Sequence, residues 1–311
     1  MSVFAFIAAE RANHPVSLMC RALGVSSSGF YARQRRAPCQ RALHDEWLCE
    51  QIRRIHRESD GTYGSPRVHA ELRREGVRVS RKRVERLMRQ RAIEGVPRPR
   101  RRRGTTIRVK GVRPAPDLVG RDFTARGRNR LWFADIREIP TGEGKLYLAA
   151  VVDCFSRACV GWAMADHMRG TLVRCALEHA LMRRRPGQGL IHHSDQGAQY
   201  TAVAFGAHCR RAGIRLSMGS RGCALDNAVI ESFFSTMQRE LTGRCAFATR
   251  AHARTAIFEW IEAIYNRRRL HSTNGNRPPA EYEIYMSQPR PIGEAINNFV
   301  RTLKPKELIS S

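Results

Sequence analysis

The sequence predicts an α/β protein: a mixed five-stranded sheet flanked by helices, preceded by an all-α region of helix-turn-helix units. Three observations lead there. Between residues 131 and 218, five short apolar or alternating runs suited to strands are interleaved with segments of helical spacing. Residues 1–96 carry helical spacing and a dense basic charge. Between the two lies a stretch that denies regular structure, with Pro97, Pro99, Pro114, Pro116 and the consecutive arginines Arg100, Arg101, Arg102 and Arg103.

Taken in order, the opening MSVFAFIAAER reads as a first helix, since its apolar stretch is too short for a bilayer span and lacks a small-residue cleavage site. In HPVSLMCRALGVSSSGFYARQRR, Pro15 suits a first helical position, and Val16, Met19 and Leu23 share a face. Gly24 stops that helix, and Ser26 to Ser28 can cap a second one carrying Phe30, Tyr31 and Arg33. A second unit starts at Ser65-Pro66 with Val68 and Leu72 inward, and stops at Gly76. Ser80 then caps RKRVERLMRQ, which buries Val84, Leu87 and Met88 and turns Arg81, Lys82, Arg86 and Arg89 outward. The strands are LWFADIREIP, KLYLAAVVDCFS, ACVGWAMAD, GLIHHSD and IRLSM. Helices are expected at 170–185, over TAVAFGAHCRRAG and AVIESFFSTMQREL, and from about 249 to 270. The resulting organisation is a helical region with helix-turn-helix units at 1–96, a basic linker at 97–130, an α/β core at 131–283 and a tail at 284–311.

Charge narrows the function. Among 311 residues, 55 Lys and Arg oppose 28 Asp and Glu, a net +27 that favours a polyanionic partner, because each cation set on a phosphate releases condensed counterions. Nine cysteines without a C-x-x-C pair or zinc-finger spacing argue for a reducing compartment, with Cys154 and Cys175 expected as small buried hydrophobes. With no stretch of transmembrane length, a cytoplasmic or chromosome-associated location is expected.

Three carboxylates stand where chemistry could gather them. Asp135 lies inside a strand between Phe133 and Ile136, Asp195 ends the fourth strand, and Glu231 sits one turn into a helix that opens near Asp226-Asn227. A strand centre, a strand end and a helix start converge near one edge of an α/β sheet. Converging carboxylates need cations to remain ionised, and hard oxygen ligands suit Mg²⁺ or Mn²⁺, two of which would serve phosphoryl transfer. Glu138, Asp153 and Asp226 are rivals; Asp153 is expected to anchor the turn at Ser156-Arg157, and Asp226 to cap the helix or shape its loop. No G-x-S-x-G and no P-loop offers another chemistry. His192 and His193 are read as strand-end packing, and Trp132 and Trp162 as core.

Several motifs in fixed order then resemble a known family. LWFAD, VVDCFSRACVGW, HHSDQGAQYT and the run from LDNAVIESFF to REL are similar to the catalytic core of bacterial insertion-sequence transposases of the "insertion sequence three" family, OrfB product. YGSPRVHAELRREGVRVSRKRVERLMR resembles the helix-turn-helix segment upstream of that core. FIAAERANHPVSLMCRALGVSSSGFYARQRR resembles the family's opening, and YNRRRLHSTNGNRPPAEYE its close. The resemblance covers roughly residues 4–285. It implies a ribonuclease-H-like integrase core of the DDE type, with Asp135, Asp195 and Glu231 as catalytic and metal-binding triad. It also implies Mg²⁺-dependent cleavage at the terminal inverted repeats of an element and strand transfer to target DNA. A homo-multimer, a frameshift fusion with the upstream product OrfA and a circular intermediate are further implications.

Two departures from the family pattern stand out. Arg137 and Glu138 follow Ile136 where a Thr-Tyr pair is usual, and Gln238 occupies the position, seven after Glu231, of a lysine expected to hold a phosphate of the element end. Arg239 is adjacent but about 100° around the helix. These residues leave an alternative in view, a catalytically weakened transposase kept as a DNA-binding regulator. Expected DNA contacts are Arg81, Lys82, Arg86, Arg100, Arg101, Arg102, Arg103, Gln238, Arg239, Arg267 and Arg268.

Overall fold

The computed structural model of the chain describes residues 3–35, 37–97, 115–219 and 224–288. Three short helices open it: α1 (Val3–Glu10), α2 (Val16–Ala22) and α3 (Ser27–Arg35). They bury a small cluster of Ile7, Met19, Cys20 and Phe30. Pro15 precedes α2, Gly24 takes the left-handed conformation after it, and Ser26 Oγ accepts from the Gly29 amide, as the turn chemistry requires. Leu23 departs from the expected inward face. It ends α2 and stays exposed, while Cys20 takes the buried place beside Met19.

A second bundle consists of α4 (Gln40–Glu58), α5 (Ser65–Arg74) and α6 (Arg81–Gln90). In α4, Leu48, Ile52 and Ile55 recur at helical spacing and are buried against Val68, Leu72, Val84, Leu87 and Met88. The α5–α6 unit matches the sequence reading closely. Gly76 has φ +83, and the Ser80 side chain accepts from the Arg83 amide.

The core sheet contains β1 (Leu131–Thr141), β2 (Gly144–Asp153), β3 (Cys159–Ala165), β4 (Ile191–Ser194) and β5 (Arg215–Met218), in the order β3-β2-β1-β4-β5. The first three strands form an antiparallel meander, and β4 and β5 continue it in parallel. Parallel pairing needs crossovers, supplied by α7 (Gly170–Arg184), and by α8 (Ala198–Thr201) with α9 (Val203–Arg211). The opposite face is covered by α10 (Ala228–Met237) and α11 (Arg250–Glu259), each continued by a wider turn: the Gly243 amide reaches Gln238 O and the Asn266 amide Ile261 O. The sheet is thus packed on both faces, with Leu131, Phe133 and Ile139 toward α10 and Trp132 and Ala134 toward α7 and α9. Close packing has a specific demand at Gly161 of β3, where a Cβ would lie 2.4 Å from Ala176 O and 2.5 Å from Ala180 Cβ of α7.

Two segments differ from the sequence reading. Residues 115–130, expected within the linker, lie on the core: Val119 and Phe123 join its apolar cluster, and the Met218 amide donates to Pro116 O. A last helix, α12 (Pro279–Ser287), runs across the expected start of the tail. Cys154 is buried as expected, whereas Cys175 is exposed, since Leu172, Val173, Ala176 and Leu177 take the buried stripe of α7. No described helix is long and apolar enough to cross a membrane.

The helical bundle is locked to the C-terminal part of the core. Leu270 completes the bundle's apolar cluster, its amide donates to Tyr63 Oη at 2.8 Å, and Tyr63 Oη lies 3.4 Å from Arg268 O. Arg269 donates to Glu240 at 2.8 Å with both side chains 5% exposed, and Arg67 approaches the same carboxylate at 3.6 Å. Arg74 grips Glu281 through two hydrogen bonds.

Candidate active site

Strand alternation fixes the first group. In β1, Leu131, Phe133 and Ile139 point to the face under α10, so Asp135 and Arg137 share that face while Glu138 points the other way. Glu138 is exposed and pairs with Lys145 at 3.0 Å, which removes it from the site. Parallel register fixes the second group. Phe133 pairs with His193, so two residues further Asp135 and Asp195 come level at the C-terminal end of β4. The Ile136 amide donates to Asp135 Oδ1 at 2.8 Å, and the Gly197 amide to Asp195 Oδ1 at 3.0 Å. Glu231 lies in the first turn of α10. Val229, Ile230 and Phe233 turn into the core there, leaving Glu231 exposed.

Electrostatics register the convergence. Burial first, then the charge of Asp195 and, less strongly, that of Glu231 push the Asp135 carboxyl up to about 7. Tyr200, buried between β4 and α9, has its phenol held well above its ordinary value by burial and by the charges of Asp135 and Asp195. Asp135 and Asp195 are therefore the near pair. Among the described residues no three His, Cys, Asp or Glu side chains are drawn tightly enough together to hold a metal ion, and Glu231 reaches the pair only through the weaker effect of its charge on Asp135. The donor set is nonetheless suited to a hard divalent cation. It is all oxygen, and its central carboxyl is raised by like charge that a cation would relieve.

The neighbouring polar residues have structural partners. Asp153, fully buried, accepts from the amides of Asn129, Phe155 and Ser156, from Trp132 Nε1 and from Ser156 Oγ, at 2.7–3.2 Å, and so anchors the turn after β2. Asp226 sits in the turn before α10, where Asn227 is the N-cap residue; Asp226 accepts from Arg121 at 2.9 Å, which pins the segment before β1 to the start of α10. His192 packs on Tyr200 and Phe205, and burial lowers it to about 4; His193 packs on Phe133 and contacts Ser217 Oγ at 2.8 Å. Trp132 is core, and the half-buried Trp162 donates to Glu262 at 3.0 Å.

The expected DNA contacts are dispersed. Arg81 and Lys82 are exposed at the start of α6, whereas Arg86 is half-buried and held by Asp45 at 2.8 Å, with Arg83 on the other carboxylate oxygen at 2.7 Å. Arg267 and Arg268 are exposed beyond α11. Arg239 folds back on α10, donating to Ser235 O at 3.1 Å and Thr236 Oγ1 at 3.2 Å. Gln238 is exposed, and its Oε1 accepts from Arg137 Nη2 at 2.8 Å. Arg100, Arg101, Arg102 and Arg103 lie outside the described residues. The roles of Arg121 and Tyr200 escaped sequence reasoning. Arg121 lies in a stretch that reads as linker, and Tyr200 is a helix residue whose burial depends on β4.

Known proteins carry the same order of parts. Residues 125–223 and 212–279 match two family models, each described as an integrase core domain, and residues 43–102 match an HTH-like domain. The transposase for insertion sequence element IS629 of Shigella sonnei is 38% identical over 278 residues, which are 88% of this chain and 93% of that protein. This chain belongs to the insertion sequence three family of transposases. Transposase InsF for insertion sequence IS3A of Escherichia coli (strain K12) is 35% identical, covering 90% of this transposase and 98% of that one. The HTLV-2 integrase catalytic core domain, solved in complex with magnesium, aligns at 13% identity and TM-score 0.40 over 51% of the transposase and 99% of that chain. Within the transposase, the HTH-like match begins inside α4 and takes in α5 and α6.

Proposed function

We propose that this transposase cuts DNA at the terminal inverted repeats of an insertion sequence and joins the freed 3′ ends to target DNA, with Asp135, Asp195 and Glu231 as its catalytic and metal-binding carboxylates. The observation that carries the reading is the parallel register of β1 and β4, which sets Asp135 level with Asp195, where burial and the charges of Asp195 and Glu231 push the Asp135 carboxyl up. A cluster of repelling oxygens on a protein of net charge +27 is a cation site awaiting a polyanion. Mg²⁺ or Mn²⁺, bound as two ions, would supply activation of the attacking oxygen and neutralisation of charge at phosphorus.

The chain's own residues do the positioning. β1 and β4 hold two carboxylates level on a rigid sheet, and α10 brings the third from the side. The amides of Ile136 and Gly197 fix the carboxylate orientations. In the transfer itself, a strand 3′-hydroxyl forms a bond to phosphorus of the target, the opposite P–O bond breaks, and the departing 3′-oxygen takes up a proton. Arg81 and Lys82 of α6, with Arg267 and Arg268, are the exposed cations assigned to the DNA backbone; Arg86 joins them only by leaving Asp45. Action on paired ends calls for a homo-multimer, and fusion to or partnership with OrfA is part of the same proposal.

The test mixes purified transposase with labelled duplex carrying the element's end and Mg²⁺, beside Asp195→Asn. The wild type is expected to nick and join the ends, and the variant to bind without cutting. A wild type that binds the ends yet neither nicks nor joins them would return the protein to the regulator reading.

A further inference from the structure

The pairing of Arg137 with Gln238 brings together two residues that look unrelated in sequence. Arg137 is two residues beyond Asp135 on the same face of β1, roughly 7 Å along the strand. Gln238 lies seven residues beyond Glu231, about 10 Å along α10 and its continuing turn. Their hydrogen bond, Arg137 Nη2 to Gln238 Oε1 at 2.8 Å, closes the side of the carboxylate site between strand and helix.

Its chemistry differs from that of the arginines held by carboxylates. Arg83 and Arg86 share Asp45, while Arg183 is on Glu262, Arg184 on Glu283 and Arg269 on Glu240, so each faces a negative charge. Arg137 is held instead by an uncharged amide. It is exposed, forms no ion pair with a described residue, and lies near enough to Asp135 to stabilise its ionised form. A guanidinium has five N–H donors in a planar fork matching phosphate oxygens, and one bond to Gln238 leaves most of that fork open. Gln238 thus orients the cation without spending its charge.

We propose that Arg137, oriented by Gln238, holds a phosphate of the DNA strand processed at Asp135 and Asp195. Arg137 is the substrate-binding group and Gln238 the positioning residue. The positive charge absent at position 238 is supplied from β1. The inference rests on the carboxylate site being the place of strand cleavage.

The experiment measures binding and cleavage of a labelled duplex carrying the element's end, using full-length transposase. Arg137→Ala is expected to bind about tenfold more weakly, with the slope of log affinity against log salt reduced by about one phosphate contact. Gln238→Ala should weaken binding by a smaller factor without changing the slope, and add nothing in the Arg137→Ala background. The double change Arg137→Ala with Gln238→Lys should regain both slope and cleavage. In otherwise wild-type protein, Gln238→Lys should give no gain, because it places two cations side by side. Both positions are exposed, so circular dichroism should be unaltered.

Wild-type affinity, slope and cleavage in Arg137→Ala would overturn the proposal while leaving the triad intact. Failure of the double change to restore the slope would also overturn it. If the wild type binds with an Arg137-dependent slope but does not cleave, the phosphate contact stands and the cleavage reading falls.

Discussion

Replacing Asp135 by Asn gives a stability signature that separates a cation site from a structural carboxyl. The carboxyl moves from an ordinary 3.8 to about 7 in the folded chain. The folded state therefore binds this proton more tightly than the unfolded state, and stability falls as pH rises between those two values and is level above them. The gap corresponds to about 4 kcal/mol at 1.36 kcal/mol per pH unit, and relaxation around a half-buried group trims this to about 2–4 kcal/mol. Asn keeps an oxygen for the Ile136 amide but carries no charge. In EDTA near pH 8, Asp135→Asn should unfold at higher urea than the wild type, with the advantage vanishing near pH 4. Mg²⁺ should stabilise the wild type near pH 8 and do little for the variant, since a cation removes the same repulsion. Urea titrations followed by circular dichroism, with and without Mg²⁺, read all four conditions. Equal stability of the two proteins near pH 8 in EDTA, or a pH-independent difference, would refute the reasoning.

Other perturbations follow from burial and partners. Asp153→Ala strands five buried donors and should cost about 3–5 kcal/mol in urea unfolding; a loss below about 1 kcal/mol would mean that the turn does not depend on this carboxylate. Gly161→Ala forces a Cβ into Ala176 O and Ala180 Cβ, and should lower the melting temperature by several degrees, a shift of about 1–3 kcal/mol, with no effect if α7 can retreat. Asp45→Asn releases Arg83 and Arg86 on α6 and should strengthen binding to a duplex of arbitrary sequence at low salt; unchanged affinity would set those arginines apart from DNA.

The strands, their extents and the α5–α6 unit were legible because their signals are local. Alternation in LWFADIREIP, the apolar run before Asp153 and the Ser80 cap each specify an element within a few residues. Asp135, Asp195 and Glu231 were legible only as candidates: the parallel pairing of β1 and β4 sets the two aspartates level, while among the described residues no three acids gather tightly enough to hold a metal ion. What escaped depends on contacts between distant segments. Residues 115–130 read as linker because Val119 and Phe123 find their apolar partners only in the finished core. Arg86 read as an outward cation because Asp45 lies 41 residues earlier in the chain. Arg137 and Gln238 were each visible as departures from a pattern, but their partnership spans 101 residues and a change from strand to helix.

The lock between Tyr63 and Leu270 has a consequence for synthesis. The HTH-like bundle is made early, yet Leu270, which completes its core, comes 207 positions after Tyr63. A nascent chain halted before Leu270 carries α5 and α6 with an open apolar pocket, and holds Glu240 without Arg269. The packing of the bundle's core is thereby tied to a chain translated as far as Leu270.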